Sequence, residues 1–140
     1  MVSPPISSDK MNRAVVAFLD GRRLKGYILN FSAFKESFRL FPDDPARQQT
    51  GSDIFMKHLK AVFFVKDFEG DPDYRETTSR DAPKHGRKVV VTFVDGEQLL
   101  GATEAYNPQK LGFFLFPLAE NSNNLRVFVI NKSVRQVIVS

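Results

Sequence analysis

Few side chains in this 140-residue sequence have the type and spacing that chemistry needs. Its two histidines, His58 and His85, stand far apart in unlike contexts. Neither belongs to a His-x-x-x-His pair or has a patterned carboxylate beside it, so both read as surface histidines and not as metal ligands. Asp67, Glu69, Asp71 and Asp73 alternate in the way that calcium-binding acids can. The stretch lacks the length and closing glutamate of an EF-hand loop, and Pro72 interrupts it, so it reads as a solvated acidic loop. There is no cysteine, which removes disulfides, thiol catalysis and thiolate zinc sites together. No Gly-x-Ser-x-Gly elbow, Walker loop or Gly-x-Gly-x-x-Gly occurs. The expectation is a protein without enzymatic activity, cofactor or metal.

What remains is a cluster of cations. Arg22, Arg23 and Lys25 follow an Asp-Gly turn at Asp20-Gly21. A second Asp-Gly, Asp95-Gly96, is followed instead by Glu97, Gln98 and Leu100, so the turn itself does not require the cations. On a strand, residues 23 and 25 share one face while 22 points away. These three, with Tyr74 and Arg75, form the candidate surface for an acidic protein partner or a phosphate-bearing ligand. The competing reading is that they are outer-face charges that keep a sheet soluble. The recurring Asp20 and Asp95 read as turn residues, not as catalytic acids.

The elements that carry these residues are written twice. An offset of 75 places Asp20-Gly21 on Asp95-Gly96, Leu24 on Leu99, Gly26 on Gly101, and Phe38, Leu40, Phe41 and Pro42 on Phe113, Leu115, Phe116 and Pro117. Across residues 14–65 and 89–140, 14 of 52 aligned positions are identical without a gap, and they concentrate at the turn, the glycines and the apolar positions. That distribution points to duplication of a small unit. Each copy reads as five short strands, near 14–19, 22–31, 37–42, 53–57 and 60–65, then near 89–94, 97–106, 112–118, 125–130 and 134–139. Asp-Gly predicts a two-residue turn with positive φ at both central residues. Gly26 and Gly101 predict a sharp bend or bulge, and Pro42 and Pro117 end the third strands.

Residues 66–88, rich in charge and carrying two prolines and two glycines, read as a linker between the units. Residues 1–13 read as a flexible lead with a short helix after Ser8. The opening residues lack a signal-peptide pattern, and runs such as AVFFV at 61–65 are too short to cross a bilayer, so a cytoplasmic setting is expected. The formal net charge of +4 comes entirely from residues 1–65, with 10 Lys/Arg against 6 Asp/Glu. Fourteen phenylalanines and no tryptophan supply the core. First strands VVAFL and VVVTFV, apolar on both faces, predict that the two units pack on each other.

The hairpin motif Asp20-Gly21, Leu24, Gly26, Ile28 and Phe31 resembles the Sm-like, SH3-type small barrels. The fold that this implies is all-β, a tandem of two five-stranded barrels. Their RNA-binding pattern does not carry over. Where Sm-like proteins place Asp-x-x-x-Asn, this chain has Ser32–Glu36 and Asn107–Leu111. Where they place Arg-Gly or Lys-Gly, it has Met56-Lys57-His58 and Asn131-Lys132-Ser133. Nucleic-acid binding is thus an alternative without its motif residues. Over 14–140 the chain also resembles an uncharacterised duplicated bacterial domain found beside receiver and PilZ modules in signalling proteins. The shared phrases are DG-x-x-L-x-G, FFVKDFEGDPDYRE and NNLRVFVINKSVRQV. That resemblance implies a binding or adaptor role in bacterial signalling. PilZ-like cyclic di-GMP binding is a further alternative. Asn30-Phe-Ser32-Ala-Phe-Lys35 lacks the closing glycine of the PilZ turn, and no Arg-x-x-x-Arg precedes it.

Overall fold

Short runs of β-branched and aromatic residues between turn signals leave no stretch with helical periodicity, and the chain folds accordingly as strands. A computed structural model describes residues 11–42, 51–66, 86–118 and 122–140. Ten strands follow in order: β1 (Met11–Phe18), β2 (Arg23–Leu29), β3 (Ser37–Pro42), β4 (Ser52–Phe55), β5 (Leu59–Val65), β6 (Arg87–Phe93), β7 (Gln98–Thr103), β8 (Gly112–Leu115), β9 (Asn124–Ile130) and β10 (Val134–Val139). Single 3-10 turns at Met56–His58 and Asn131–Ser133 precede β5 and β10. Strand β1 begins inside the expected lead and β6 inside the expected linker. Most of that linker, residues 67–85, lies outside the described residues, as does Ser8 with its expected helix.

The ten strands form two sheets, and neither closes into a barrel. One has seven strands in the order β4-β3-β2-β1-β5-β9-β8, and the other has the order β10-β6-β7. All pairings are antiparallel. A bridge between Ala102 and Phe116, with both backbone hydrogen bonds made, ties β7 to the end of β8 and so links the sheets. The architecture is therefore all-β, as expected, but its widest sheet runs across the boundary between the two sequence units. Strands β5 and β9 carry that crossing, with Ala61 opposite Val129, Val62 opposite Phe128 and Phe63 opposite Val127.

Alternation along β1 and β5 sends side chains to two cores. Ala14, Val16, Phe18, Leu59, Val62 and Phe64 enter one core with Ile28, Phe38, Leu40, Ile54, Phe128 and Ile130. Ala17, Ala61, Phe63 and Val65 enter the other, against Val89, Val91 and Phe93 of β6. This is why VVAFL is apolar on both faces: the seven-stranded sheet is covered on both sides at its centre. All seven residues of β5 are buried.

The Asp-Gly loops contain three residues, not two. The Gly21 N–H donates to the Phe18 carbonyl, and the Phe18 N–H to that of Arg22; Gly96, Phe93 and Glu97 repeat the arrangement. Only the glycines take positive φ, 95° at Gly21 and 93° at Gly96; Asn30 is the one non-glycine residue with positive φ among those described. This is the three-residue hairpin in which a tight turn is followed by a left-handed glycine. The extra residue has its own partner: Leu19 N–H donates to the His58 carbonyl, and Val94 N–H to that of Ser133.

Gly26 and Gly101 are required by crowding. A Cβ at Gly26 would run into the Phe41 carbonyl oxygen, and one at Gly101 would lie 2.6 Å from Leu115 Cγ and 2.7 Å from the Phe116 oxygen. No register shift occurs between β1 and β2 or between β6 and β7, so these glycines admit a neighbouring backbone and do not mark a bulge.

Candidate functional site

The β1–β2 hairpin sorts its cations by strand alternation. Arg23 stands opposite Ala17 and Lys25 opposite Val15, on the face that packs toward the second core. Arg22 turns to the other side, where its guanidinium lies 4.7 Å from the Phe18 ring centre and its Nε donates to Asp20 Oδ2 at 2.7 Å. Its backbone N–H also donates to Asp20 Oδ1 at 2.9 Å. That backbone bond, followed by the side-chain bond, holds the Asp20 carboxyl below the ordinary carboxylate value. Asp20 is thus a turn residue paired with its own neighbour.

Arg23 extends over Phe63, 5.5 Å from the ring centre, toward Glu97 at 3.9 Å. Glu97 also meets the ammonium of Lys60 at 3.1 Å, and Asp95 meets that ammonium at 2.7 Å. Lys60, on β5, is the residue that sequence reasoning missed. Its side chain is 7 % exposed, and its ammonium also lies 4.7 Å from the Phe93 ring centre. The hydrogen bond from Lys60, and then that from the Glu97 backbone, lower the Asp95 carboxyl below its ordinary value. Here the second Asp-Gly turn has a use that the first lacks: it supplies the acids that neutralise a buried cation of the first unit. The signal was present as a single charge inside the otherwise apolar run LKAVFFV.

The structure therefore brings Arg23 and Lys25 together on one face of β2 and sends Arg22 to the other. Leu24, opposite Val16, is exposed on the other face, and Leu19 is exposed in the loop. Tyr74 and Arg75 lie outside the described residues. His58 is exposed in the 3-10 turn before β5, and His85, like Asp67, Glu69, Asp71 and Asp73, lies outside the described residues. Among the described residues no three His, Asp or Glu side chains gather as a metal ion would need, and no helix is long and apolar enough to cross a membrane.

A second surface combines aromatic and basic groups. Phe34, in the β2–β3 loop, is 86 % exposed, and the Lys110 ammonium from the β7–β8 loop lies 5.8 Å from its ring centre. Beneath, Phe31 packs edge-on against Phe64, Phe114 and Phe128 at centroid distances of 5.0, 6.1 and 5.3 Å. Arg126 lies over Phe64 and Phe114, 4.6 and 4.5 Å from their ring centres, and burial lowers its guanidinium pKa from the ordinary value. The Asn131 side chain donates to the Asn107 and Lys110 carbonyls and fixes the β7–β8 loop that carries Lys110.

DUF6982, a family of unknown function, matches residues 10–140. No curated protein and no solved structure matches the chain.

Proposed function

We propose that this chain, which belongs to DUF6982, is a non-catalytic binding or adaptor module that docks an acidic protein partner on the β1–β2 hairpin. The observation that carries the reading is the composition of that hairpin: Arg23 and Lys25 on one face, Arg22 and the exposed Leu24 on the other, and the exposed Leu19 in the loop that joins them. Arginine beside exposed apolar area is the mixture that protein interfaces favour over plain solvated surface. Cations around such a patch steer an acidic partner and set orientation. The likeness to duplicated bacterial domains beside receiver and PilZ modules supports placing the role in signalling.

The repeat reading belongs to the same proposal. Each unit runs as four strands, a 3-10 turn and a fifth strand, and the turns Met56–His58 and Asn131–Ser133 stand 75 residues apart like the sequence match. That correspondence supports a duplicated small-barrel ancestry, with the barrels opened into shared sheets.

Partner capture from the native host tests the role, using the intact chain and a variant with Arg22, Arg23 and Lys25 changed to glutamate. The variant is expected to lose the partner while still melting in one cooperative transition. Retention of the partner by a folded variant refutes the assignment.

Phe34 and Lys110 favour a second reading, single-stranded nucleic-acid binding, because an exposed ring beside a cation can stack a base. That reading predicts affinity that falls steeply with salt and drops when Phe34 becomes alanine. A protein interface on the β1–β2 hairpin predicts a shallower salt dependence and no response to the Phe34 change.

A further inference from the structure

The contact that joins the two units inside one chain leaves its complement at each end of the sheet system. Strand β5, the fifth of the first unit, pairs with β9, the fourth of the second. The bridge from Ala102 to Phe116 makes the strands one continuous run, with β4 at one end and β10 at the other. At the offset of 75, β4 corresponds to β9, and β10 to β5. The strands at the two ends are therefore the same kinds of strand that meet in the middle. Among the described residues, neither carries a ladder on its outer side.

Exposure follows this pattern. Phe63 and Phe64 on β5 are 7 % and 1 % exposed; at the corresponding positions of β10, Ile138 and Val139 are 51 % and 44 % exposed. On the other end strand, Phe55 is exposed where its counterpart Ile130 is fully buried. Exposed apolar residues on an open sheet edge are a template for pairing with another strand.

We infer that β10 of one chain pairs antiparallel with β4 of a second copy, repeating the β5–β9 contact between molecules. The register follows from the internal one: Gln136 faces Ile54, Val137 faces Asp53 and Ile138 faces Ser52 of the neighbouring copy, as Ala61 faces Val129, Val62 faces Phe128 and Phe63 faces Val127 within the chain. Because the two edges differ, the contact is head-to-tail. Each added copy presents a fresh edge, and the assembly closes into a ring or grows as a fibre.

The contact between copies is weaker than the internal one, for an electrostatic reason. Lys60 is held by both Asp95 and Glu97. The corresponding residues between copies are Arg135, Asp20 and Arg22, so one of the two acids is replaced by a cation. Association is accordingly concentration-dependent, and Arg22→Glu, which restores the second acid, strengthens it.

This inference rests on the repeat reading above but not on the partner-binding role, and it is read on the purified chain alone. Sedimentation velocity across a concentration series is expected to show species larger than a dimer. Ile138→Lys and Ser52→Lys, whose internal counterparts Phe63 and Val127 are buried, each place a charge in the contact and abolish assembly. Mixed together, the two variants form a one-to-one heterodimer, since the first keeps a sound β4 edge and the second a sound β10 edge. That complex also shows that both variants fold. Three results would overturn the inference: a wild-type monomer at every concentration, a dimer blocked by Ile138→Lys but untouched by Ser52→Lys, or no complex on mixing.

Discussion

Replacing Phe64 with alanine probes whether the two sequence units behave as one folded body. Phe64 is 1 % exposed near the end of β5. Its ring meets Phe31 edge-on at 5.0 Å and lies under the Arg126 guanidinium at 4.6 Å. Truncating a buried phenylalanine costs about 3 to 5 kcal/mol, combining lost transfer energy with the cavity left behind. At about 2 to 4 °C per kcal/mol for a chain of this size, the melting temperature should fall by roughly 6 to 20 °C. The location of the loss matters more than its size. Arg126 and Phe128 belong to the second unit, and β5 shares a ladder with β9 and a core with β6. Hydrogen exchange should therefore show Val127–Ile130 and Val89–Val91 losing protection in step with Val16 and Ile28, within one calorimetric transition. Loss confined to residues 11–65, with β6 and β9 protected as in the wild type, refutes the reasoning, and so does a melt that resolves into two transitions.

Two further predictions follow from local geometry. The Asp95 carboxyl is lowered in the folded state by Lys60, so its contribution to stability is present above the ordinary carboxylate value and disappears as pH falls through the lowered one. Asp95→Asn should flatten the acid limb of a stability–pH curve, and in a Lys60→Met background the flattening should shrink; an unchanged limb in Asp95→Asn would discard this assignment. Gly26→Ala should cost about 2 to 3 kcal/mol in urea unfolding, because its Cβ meets the Phe41 backbone. Gly21→Ala has open space around the new methyl and a positive φ, and should cost about 1 kcal/mol. Equal costs at the two positions would remove the crowding explanation.

Much of this architecture was legible in apolar alternation, in Asp20-Gly21 and Asp95-Gly96, and in the third-strand motifs FRLFP and FFLFP. Ten strands stand close to where those signals predict them. Alternation reports which faces are buried but not which edges meet. Nothing in LKAVFFV says that β5 pairs with β9 instead of ending a closed barrel. The three-residue loops were misread because Asp-Gly serves both hairpin types, and the bond that engages the extra residue, from Leu19 to the His58 carbonyl, is tertiary. The cations at 22, 23 and 25 were legible as a departure from the repeat. Lys60 showed only as a lone charge in an apolar run; its partners Asp95 and Glu97 lie 35 and 37 positions away, so no local spacing pairs them with it. Phe34 could not be told from a core phenylalanine by type alone, and only its exposure separates it from Phe31.

Strand β5 also has a place in time. It is complete at Val65, whereas the strand that covers its outer edge ends at Ile130. At about 5 to 20 residues per second, the ribosome takes roughly 3 to 13 s to deliver one after the other. For that interval a nascent chain carries an edge that is apolar but for Lys60, with no strand beside it, the situation in which neighbouring chains exchange elements. Synthesis on a crowded polysome therefore favours swapped pairs in which the β9 of one chain closes the β5 of another. Slower initiation, which spaces the ribosomes, should lower the yield of such pairs.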